Sequence, residues 1–417
     1  MRVLSVAVVA VLALTTTASH PASRIRDIDN VFRSPAQVRA IRDDANTNRK
    51  CHTSNAHYLP LLQPGQYAAN AFHNCFRTSK QIFQFVDTLI SQNTNLLTKF
   101  PVSKTFQGQT IYGYKLSTNG GKEQSLYYQS LLHAREWIAG SSNLFALSSI
   151  LDDIAANKTT ATDLYDLVFV PIANIDGYDM TWSGNRYQRK NANQVDLNRN
   201  WPSFYQNPKP PAPSEETYPG PSAFSEPETK GIADWLKSNN DKIAGWVDIH
   251  AYAGLVLYPY GDTLSPIGGG EDEKFQLLGR NIQAQMGSNY KAETSATMYP
   301  AYGSFDDYHY RTYKKPVLTF EIAGSDFVAP ASTIRTRGTE VYKGLLQFAK
   351  EIVEFNGGRQ RSTSTPNTAN PSIASTKHGC ATCSRCYYPD RDICLSDFAK
   401  NDCDYYTGYY GTLWCGN

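Results

Sequence analysis

The sequence predicts an α/β fold: a central mixed, mostly parallel β-sheet flanked by helices on both faces, followed by a small disulfide-rich C-terminal module. Two patterns support this prediction. Between residues 71 and 356, short apolar segments alternate with segments whose apolar residues recur at helical spacing, as in parallel or mixed sheets. The end of the chain is rich in cysteine, and so short a segment needs disulfides because it cannot bury a sufficient core alone.

Individual elements follow from local patterns. Thr78 to Gln81 predicts a capping box that opens a helix, and Ser225 to Glu228 predicts a second one with an early proline. The last predicted helix carries Val341, Leu345, Phe348 and Ile352 on one face. The predicted strands are 125–132, 167–170, 246–250, 255–258 and 317–320.

Charge and length limit the classes of partner. The 417 residues contain 40 Lys and Arg against 38 Asp and Glu, a formal net charge of +2. This balance gives no indication of a nucleic acid partner. After the N-terminus, no segment is long and apolar enough to span a membrane. We therefore expect a soluble protein, and we expect it to be a monomer.

Residues 1–18 predict a secretory signal peptide. Met1-Arg2 precedes an apolar run, residues 3–14, which ends in small and polar residues and is too short to cross a bilayer. The alternative interpretation of this run is a buried N-terminal helix. The signal peptide predicts a secreted, extracellular protein, in which the eight cysteines are candidates for disulfide bonds.

The polar residues 19–70 form an N-terminal extension. We expect it to be loosely structured and open to removal on maturation. Pairing of Cys51 with Cys75 would tie it to the domain that follows.

Residues 357–379 are rich in Ser, Thr and Pro and predict a linker. The cysteine-rich module, residues 380–417, contains Cys380, Cys383, Cys386, Cys394, Cys403 and Cys415. Six cysteines allow fifteen pairings, and the sequence does not choose among them. The alternative is a zinc site in the Cys-x-x-Cys-x-x-Cys segment. We expect the module to bind a surface or a polymer.

A candidate metal site lies at the end of a predicted strand. His133 and Glu136 stand three residues apart, and zinc accepts both imidazole and carboxylate ligands. A catalytic zinc usually has three protein ligands, so this pair needs a third. Taken alone, the pair is a weak signal, more typical of a partly buried histidine and a solvated glutamate than of a metal site. His250 and Glu321 also lie at strand ends, and ligands of α/β sheets bind beyond the carboxyl ends of strands.

Five segments in this order resemble the zinc metallocarboxypeptidases of the pancreatic carboxypeptidase A and B type. They are Leu132–Trp137, Val170–Tyr178, Val195–Trp201, Ala223–Thr229 and Thr319–Ile322. The resemblance covers residues 71–356, the predicted catalytic domain. It implies that His133, Glu136 and His250 bind one Zn²⁺ per chain, and that Asp196 holds the other ring nitrogen of His133.

The resemblance also implies the roles of several polar residues. Glu321 matches the general base that takes a proton from the attacking water, and Arg189 matches the arginine that stabilises the oxyanion. Gln188 departs from the family, where tryptophan is common at this position. The residues that match those binding substrate are Arg135, Asn198, Arg199 and Tyr299.

Specificity depends on one position in the pocket for the terminal side chain. Counting without gaps between Tyr299 and Glu321 places Asp306 there, and the position is acidic in the B type and apolar in the A type. An acidic residue favours peptides that end in Lys or Arg. A one-residue deletion in the loop would place Phe305 there instead and favour apolar termini. Asp306 or Asp307 as an ordinary loop acid is a further alternative.

The sequence therefore predicts a secreted zinc carboxypeptidase that acts on peptide or protein C-termini. The rival hypotheses are A-type specificity, a catalytically inactive binding protein on the same fold, and a protein whose main function is binding through its C-terminal module. Pancreatic relatives carry an inhibitory pro-domain of about a hundred residues. Residues 19–70 are fewer, so we do not expect activation by release of a large pro-domain.

Overall fold

The computed structural model describes residues 25–26, 32–355, 383–388, 393–395, 400, 403 and 413–416. The chain divides into two compact units, residues 1–359 and 360–417. The predicted signal peptide and the predicted linker lie outside the described residues. Among the described residues, no helix combines the length and apolarity that crossing a bilayer requires.

An eight-stranded sheet forms the centre of the first unit. Its strands are β3 (Leu97–Lys104), β4 (Thr110–Leu116), β5 (Ser125–Ser130), β6 (Asp166–Val170), β7 (Ile243–Ala251), β8 (Leu255–Tyr258), β9 (Lys291–Thr294) and β10 (Val317–Ile322). Their spatial order is β3-β4-β6-β5-β7-β10-β8-β9. A separate antiparallel pair is formed by β1 (Ile25–Arg26) and β2 (Phe32–Arg33).

The centre of the sheet is parallel and its two sides are mixed. Strands β6, β5, β7 and β10 run parallel, whereas β3 and β4, β4 and β6, and β10 and β8 pair antiparallel. Every residue of β5, β6 and β7 is buried. Parallel strands are covered on both faces, so they consist of continuous apolar runs. The predicted α/β class and the predicted strands are confirmed.

Helices flank the sheet. They are α1 (Pro35–Ser54), α2 (Ser79–Gln92), α3 (Trp137–Ala155), α4 (Ile175–Ser183), α5 (Pro227–Ser238), α6 (Glu271–Met286), α7 (Ser295–Met298), α8 (Phe305–Tyr313) and α9 (Ile334–Phe355). Helix α9 packs against α3 and α6. The predicted capping box of α2 is confirmed, because Thr78 and Gln81 exchange side-chain and backbone hydrogen bonds.

The predicted capping box at Ser225 is wrong. Helix α5 does begin with a proline, Pro227, but its N-cap is Glu226, whose side chain makes no capping bond. The Ser225 hydroxyl donates instead to the Glu226 carboxylate, at 2.8 Å. A nearby acceptor therefore competes with the backbone for this hydroxyl.

The N-terminal extension is ordered over much of its length, which corrects the prediction of loose structure. Helix α1 begins with a capping box between Ser34 and Gln37 and with Pro35 in its first turn. The predicted disulfide between Cys51 and Cys75 is confirmed. It joins the end of α1 to the segment before α2.

The second unit is a small three-stranded sheet with disulfides. Its strands are β11 (Cys386–Tyr388), β12 (Ile393–Leu395) and β13 (Leu413–Trp414), and β11 lies between the other two. Cys383 pairs with Cys394, and Cys386 pairs with Cys403. The alternative of a zinc site in the Cys-x-x-Cys-x-x-Cys segment is wrong, because two of its three cysteines form these disulfides.

Candidate metal centre and active site

Three buried side chains converge at the carboxyl end of the parallel strands. His133 Nδ1 lies 2.8 Å from Glu136 Oε1, and His250 Nδ1 lies 3.0 Å from both His133 Nδ1 and Glu136 Oε2. Each of the three residues can offer a ligand atom, and these atoms all lie within 4.8 Å of one another. Two imidazoles and one carboxylate are a donor set typical of catalytic zinc, which leaves one coordination position open.

The topology explains why these residues meet. His250 is the penultimate residue of β7, and His133 follows the end of β5, the neighbouring parallel strand. Glu136 is the residue before α3, whose first turn begins at Trp137. Adjacent parallel strands end at the same edge of a sheet, so both histidines reach the same point.

Carboxylates orient both histidine rings. His133 Nε2 lies 3.1 Å from Asp196 Oδ1, and His250 Nε2 lies 2.8 Å from Asp248 Oδ2. Each ring therefore directs Nε2 to a carboxylate and Nδ1 to the shared centre, which is how outer carboxylates fix the tautomer of metal-binding histidines. The described residues fit a zinc ion.

Asp248 is a functional candidate that the sequence interpretation missed. Its signal was present, because residues two apart in a strand face the same side and Asp248 precedes His250 by two. A second carboxylate that touches a ligand, Asp196, is buried between Arg189 and His133. Burial raises the pKa of Asp196, but the positive charges of Arg189 and His133 outweigh burial and lower this pKa well below its ordinary value.

Glu321 lies beside the three candidate ligands. It is half-buried near the end of β10 and is the direct register partner of His250 in β7. Burial, and then the negative charge of Glu136, raise the pKa of Glu321 to about 8. A divalent cation bound at the neighbouring centre would lower this pKa, because it favours the charged carboxylate.

Arg189 is held against the same centre. Its Nε lies 2.8 Å from Asp196 Oδ2, and its Nη1 lies 3.3 Å from His133 Nδ1. Gln188, the departure from the family, is buried within this loop. Its amide donates to the carbonyl oxygen of Lys190 at 2.9 Å and accepts from Asn185 at 2.8 Å. The glutamine therefore stabilises the loop through hydrogen bonds.

The three residues predicted to hold a substrate terminus lie close together. Arg199 Nη2 lies 3.5 Å from the Tyr299 hydroxyl, and Tyr299 is 46% exposed. The Asn198 backbone N–H donates to Asp196, and the Asn198 side-chain oxygen accepts from the Phe305 N–H at 2.8 Å. Asp196 thus connects this group to the candidate metal centre.

The side chain of Arg135 is not free to contact a substrate, because it already has partners within the protein. Its side chain is buried, its guanidinium lies 4.0 Å from the centre of the Phe327 ring, and its Nη1 lies 2.9 Å from a carboxylate oxygen of Glu216. Any contact with substrate would have to compete with this ion pair. Glu216 was not identified from the sequence, because the pairing crosses a long loop.

The two candidates for the specificity position have different surroundings. The Phe305 ring is fully buried, with its centre 3.9 Å from that of His309 and 5.2 Å from that of Trp201. Asp306 accepts a hydrogen bond from the Ser295 hydroxyl at 2.8 Å. Within the described part of the chain, no Lys, Arg or His forms an ion pair with Asp306.

The neighbouring acids are already engaged. Asp307 accepts hydrogen bonds from the backbone N–H groups of Gly261 and Asp262 at 2.8 and 3.0 Å. Asp262 forms an ion pair with Arg311 at 2.5 Å. Burial, and then the neighbouring carboxylate of Asp306, raise the pKa of Asp307 well above its ordinary value. The carboxylates of Asp307 and Asp262 therefore already have partners within the protein.

A family model described as zinc carboxypeptidase matches residues 82–344. The chain belongs to the zinc carboxypeptidase family. Human carboxypeptidase A1 is 32% identical to this carboxypeptidase over 297 residues, which cover 67% of this chain and 70% of that protein. Bovine carboxypeptidase A1 is 30% identical over 296 residues, with the same shares of both chains. The chain is thus a metallocarboxypeptidase, a peptide hydrolase, and zinc is the metal that its family implies.

Solved structures show the same fold. Bovine thrombin-activatable fibrinolysis inhibitor, in complex with tick carboxypeptidase inhibitor, matches this carboxypeptidase with a TM-score of 0.63 and 25% identity. The match covers 68% of this chain and 99% of that chain. Carboxypeptidase A from Helicoverpa armigera matches with a TM-score of 0.64 and 24% identity, over 74% of this chain and 81% of that chain.

Proposed function

We propose that this carboxypeptidase is a secreted, zinc-dependent enzyme that hydrolyses the C-terminal peptide bond of peptides and releases Lys or Arg. The observation that carries the proposal is the buried cluster of His133, Glu136 and His250 beside Glu321, connected through Asp196 to the group that would bind the substrate terminus. Each side chain around this cluster supplies one part of the reaction.

His133, Glu136 and His250 would hold one zinc ion. When bound, zinc would polarise the scissile carbonyl and acidify the attacking water. Glu321 accepts a proton from that water and delivers it to the leaving amine. Its position supports both steps, because Glu321 is the direct register partner of His250 and a general base must lie within reach of the water that it deprotonates.

Arg189 stabilises the negative charge that develops on the carbonyl oxygen. Its guanidinium is buried and held by Asp196 at 2.8 Å, so it does not need to reorganise during the reaction. Preorganised donors of this kind contribute strongly to catalysis because they are worth more in a site that excludes water.

Arg199, Asn198 and Tyr299 bind the free carboxylate of the substrate. A planar guanidinium recognises a carboxylate bidentately, and the Tyr299 hydroxyl lies close enough to Arg199 to contact the same group. The exposure of Tyr299 supports a ring that covers the bound terminus. Recognition of a free terminus favours an exopeptidase over an endopeptidase.

Asp306 binds the terminal side chain. A buried carboxylate is costly without a partner, and a Lys or Arg side chain of the substrate would supply the missing positive charge. Burial of Phe305 between His309 and Trp201 favours Asp306 over Phe305 as the pocket residue. The human and bovine relatives named above are both carboxypeptidase A1, so the proposal of basic specificity rests on the residues of this chain's own pocket.

Secretion is supported by the disulfides. Cys51–Cys75, Cys383–Cys394 and Cys386–Cys403 are bonds of a kind that is stable in oxidising compartments and rare in the cytosol. The predicted signal peptide, residues 1–18, agrees with this compartment.

Hydrolysis of matched peptides tests the proposal. The purified full-length chain, loaded with zinc, is incubated with three peptides that differ only at the end: a terminal Arg, a terminal Phe and a terminal Arg amide. We expect release of free Arg from the first, much slower release of Phe from the second, and no cleavage of the amide. A chelator should abolish the activity and added zinc should restore it.

Other outcomes separate the alternatives. Preference for Phe would overturn only the assignment of Asp306. Failure to hydrolyse either free-acid peptide, with zinc shown to be bound, would support an inactive binding protein instead. Cleavage of the amide at an internal bond would contradict recognition of a free terminus.

A further inference from the structure

We propose that helix α1 of the N-terminal extension is a permanent part of the catalytic domain, and that Asp44 is a positioning residue that acts through Arg186 on the loop carrying Arg189. The inference rests on the proposed function, because the effect of Asp44 on catalysis depends on the proposed role of Arg189 in stabilising the oxyanion. According to this inference, helix α1 remains in the active enzyme and is not removed on maturation.

Several contacts fix α1 to the segment before α2. The Cys51–Cys75 disulfide joins them covalently. The Asn48 side-chain oxygen accepts from the Phe76 N–H at 3.1 Å, and His52 Nε2 lies 2.6 Å from the Phe76 carbonyl oxygen. Because these contacts are both covalent and polar, cleavage of the chain after α1 would not release the helix.

The buried face of α1 is unusual because it is polar. Ile41, Asp44 and Asn48 are the buried residues of this helix and share one face at helical spacing. A buried carboxylate persists only when it is paired. Asn48 donates to Asp44 Oδ1 at 3.0 Å, and Arg186 Nε lies 2.6 Å from Asp44 Oδ2. The face of α1 is therefore built to hold Arg186.

Arg186 connects α1 to both sides of a candidate metal ligand. Its Nη1 donates to the Arg135 carbonyl oxygen at 2.7 Å, and its guanidinium lies 3.8 Å from the centre of the Trp137 ring. Arg135 and Trp137 flank Glu136. The Nη2 of Arg186 donates to the Phe327 carbonyl oxygen at 2.9 Å. Arg186 is 5% exposed and Asp44 is 6% exposed, so water cannot replace these contacts easily.

The loop that contains Arg186 also carries Arg189, three residues later. The Arg189 carbonyl oxygen accepts from the Ala134 N–H at 3.1 Å, next to His133. The loop is therefore fixed at Arg189 by the metal-binding segment and at Arg186 by α1. Loss of the fixed point at Arg186 would allow the Arg189 guanidinium to move relative to the scissile carbonyl. Such small displacements of a preorganised donor reduce the rate of the chemical step.

The substitution Asp44→Asn tests this role. It keeps an oxygen that can accept from Arg186 but removes the charge, so the hydrogen bond weakens without a large change in volume. We expect kcat for an Arg-terminated peptide to fall about 10-fold, a part of the 10²- to 10³-fold loss typical of removing an oxyanion donor. KM should change by less than about 2-fold, because the terminus and its pocket are held by other residues.

A double-mutant cycle shows whether the effect passes through Arg189. In an Arg189→Ala background, Asp44→Asn should change kcat by less than about 2-fold, because two substitutions that act through one group are not additive. An equal loss of kcat in both backgrounds would overturn the inference. So would an unchanged kcat of folded Asp44→Asn. Asp43→Asn is the matched control, since Asp43 is the exposed neighbour on the same helix and its substitution should leave kcat unchanged.

Two further measurements keep the test decisive. If Asp44→Asn does not accumulate as folded protein, Asp44→Glu, which keeps the charge, enters the same cycle and the same comparison decides. The unreduced mass of enzyme secreted by an expression host gives the mature N-terminus. Active enzyme that contains residues 35–54 supports retention of α1, and active enzyme that lacks them overturns it.

Failure of this inference is distinguishable from failure of the proposed function. Wild-type enzyme is assayed first on the Arg- and Phe-terminated peptides. Absence of hydrolysis of both contradicts the proposed function. Hydrolysis by the wild type with no selective effect of Asp44→Asn contradicts only the positioning role.

Discussion

Glu321 and His250 are direct partners in the parallel pairing of β10 with β7. Register partners in neighbouring strands face the same side of a sheet, so the half-buried carboxylate lies at the same edge as His250, a candidate metal ligand. In the proposed mechanism, this placement would let Glu321 exchange a proton beside the candidate metal centre without occupying a ligand position.

Glu321→Gln should therefore reduce the rate of the chemical step rather than substrate binding. We expect kcat to fall by about 10²- to 10⁴-fold, the range for loss of a general base, with KM within a few-fold of wild type. Steady-state kinetics on an Arg-terminated peptide measures both. Zinc content by metal analysis is the control, and near-normal turnover of the zinc-loaded variant would refute the role of this glutamate.

Asp248→Asn should weaken zinc binding. Asp248 Oδ2 lies 2.8 Å from His250 Nε2, and loss of such an outer carboxylate typically lowers metal affinity about 10- to 100-fold. Competition with a chelator measures the affinity. Asp241→Asn, at an exposed site just before β7, is the matched control and should bind zinc as wild type does. Equal affinities of the two variants would show that Asp248 does not support the site.

Asp306→Asn should reverse or abolish the preference for basic termini. The amide still accepts from Ser295 but carries no charge for Lys or Arg, and loss of one partner of a buried ion pair costs roughly 2 to 5 kcal/mol. At about 1.4 kcal/mol for each factor of ten, we expect kcat/KM for the Arg-terminated peptide to fall by at least about 30-fold. Activity on the Phe-terminated peptide should change much less.

The control for this substitution is Asp262→Asn. Asp262 is also a buried acid of this region but already pairs with Arg311, so its loss should change the ratio of the two kcat/KM values little. An equal change of that ratio in both variants would mean that general electrostatics, rather than a contact with Asp306, sets specificity.

The sequence predicts the chemistry at strand ends better than the contacts between distant segments. His133, His250 and Glu321 can be found from it because strand patterns are local and parallel strands end at one edge. Their convergence is seen in the structure. Asp248 is not among the predicted site residues, although its spacing of two residues from His250 in a strand indicates that both side chains face the same side. In contrast, no local pattern relates Asp44 to Arg186, because that pairing depends on how an extension folds back on the domain.

Helix α1 shows why the order of the extension is hard to predict. A polar, charged segment normally fails to bury enough apolar surface to order itself. Here the buried face is held by ion pairs, hydrogen bonds and a disulfide instead, and none of these leaves an apolar periodicity in the sequence. The predicted pairing of Cys51 with Cys75 was the one signal that pointed to an ordered extension.

The free energy of unfolding should decrease as the pH falls through the range in which His73 of the unfolded chain becomes protonated. In the folded protein this histidine is buried. Burial, and then the charges of Arg335 and Arg77, lower the pKa of His73 from its ordinary value of 6.5 to about 3. Between these values the unfolded chain binds more protons than the folded one, so protonation favours unfolding. This histidine alone removes about 1.4 kcal/mol of unfolding free energy for each pH unit below its ordinary pKa.

His73→Phe tests this pH dependence. The ring packs edge-on against Phe72, Phe85 and Phe145, so phenylalanine suits the site without a titrating group. Denaturant unfolding at about pH 7.5, 6.5 and 5.5, which brackets the ordinary histidine pKa, should show a smaller loss of stability for the variant. Some slope should remain, since burial also lowers the pKa of His309 to about 3. Identical slopes for variant and wild type would contradict the argument.

Gly303→Ala should weaken substrate binding through the backbone. Gly303 has φ +72°, and a Cβ there would lie 2.5 Å from the Arg199 carbonyl oxygen and 2.7 Å from that of Trp201. Backbone atoms cannot move aside as a flexible side chain can, so the segment that carries Arg199 must shift. We expect KM for free-acid peptides to rise about 10-fold, equivalent to about 1.4 kcal/mol of lost binding to the terminal carboxylate.

Gly268→Ala separates this clash from conformational strain. Gly268 also has positive φ, +81°, but a Cβ there would meet no atom within 4 Å among the described residues. In both variants, strain of alanine in the left-handed region should lower the unfolding free energy by about 1 to 2 kcal/mol, and the clash should lower it further in Gly303→Ala. Only Gly303→Ala should raise KM. A similar KM in the two variants would mean that binding of the substrate terminus by Arg199 does not depend on the close approach of Gly303.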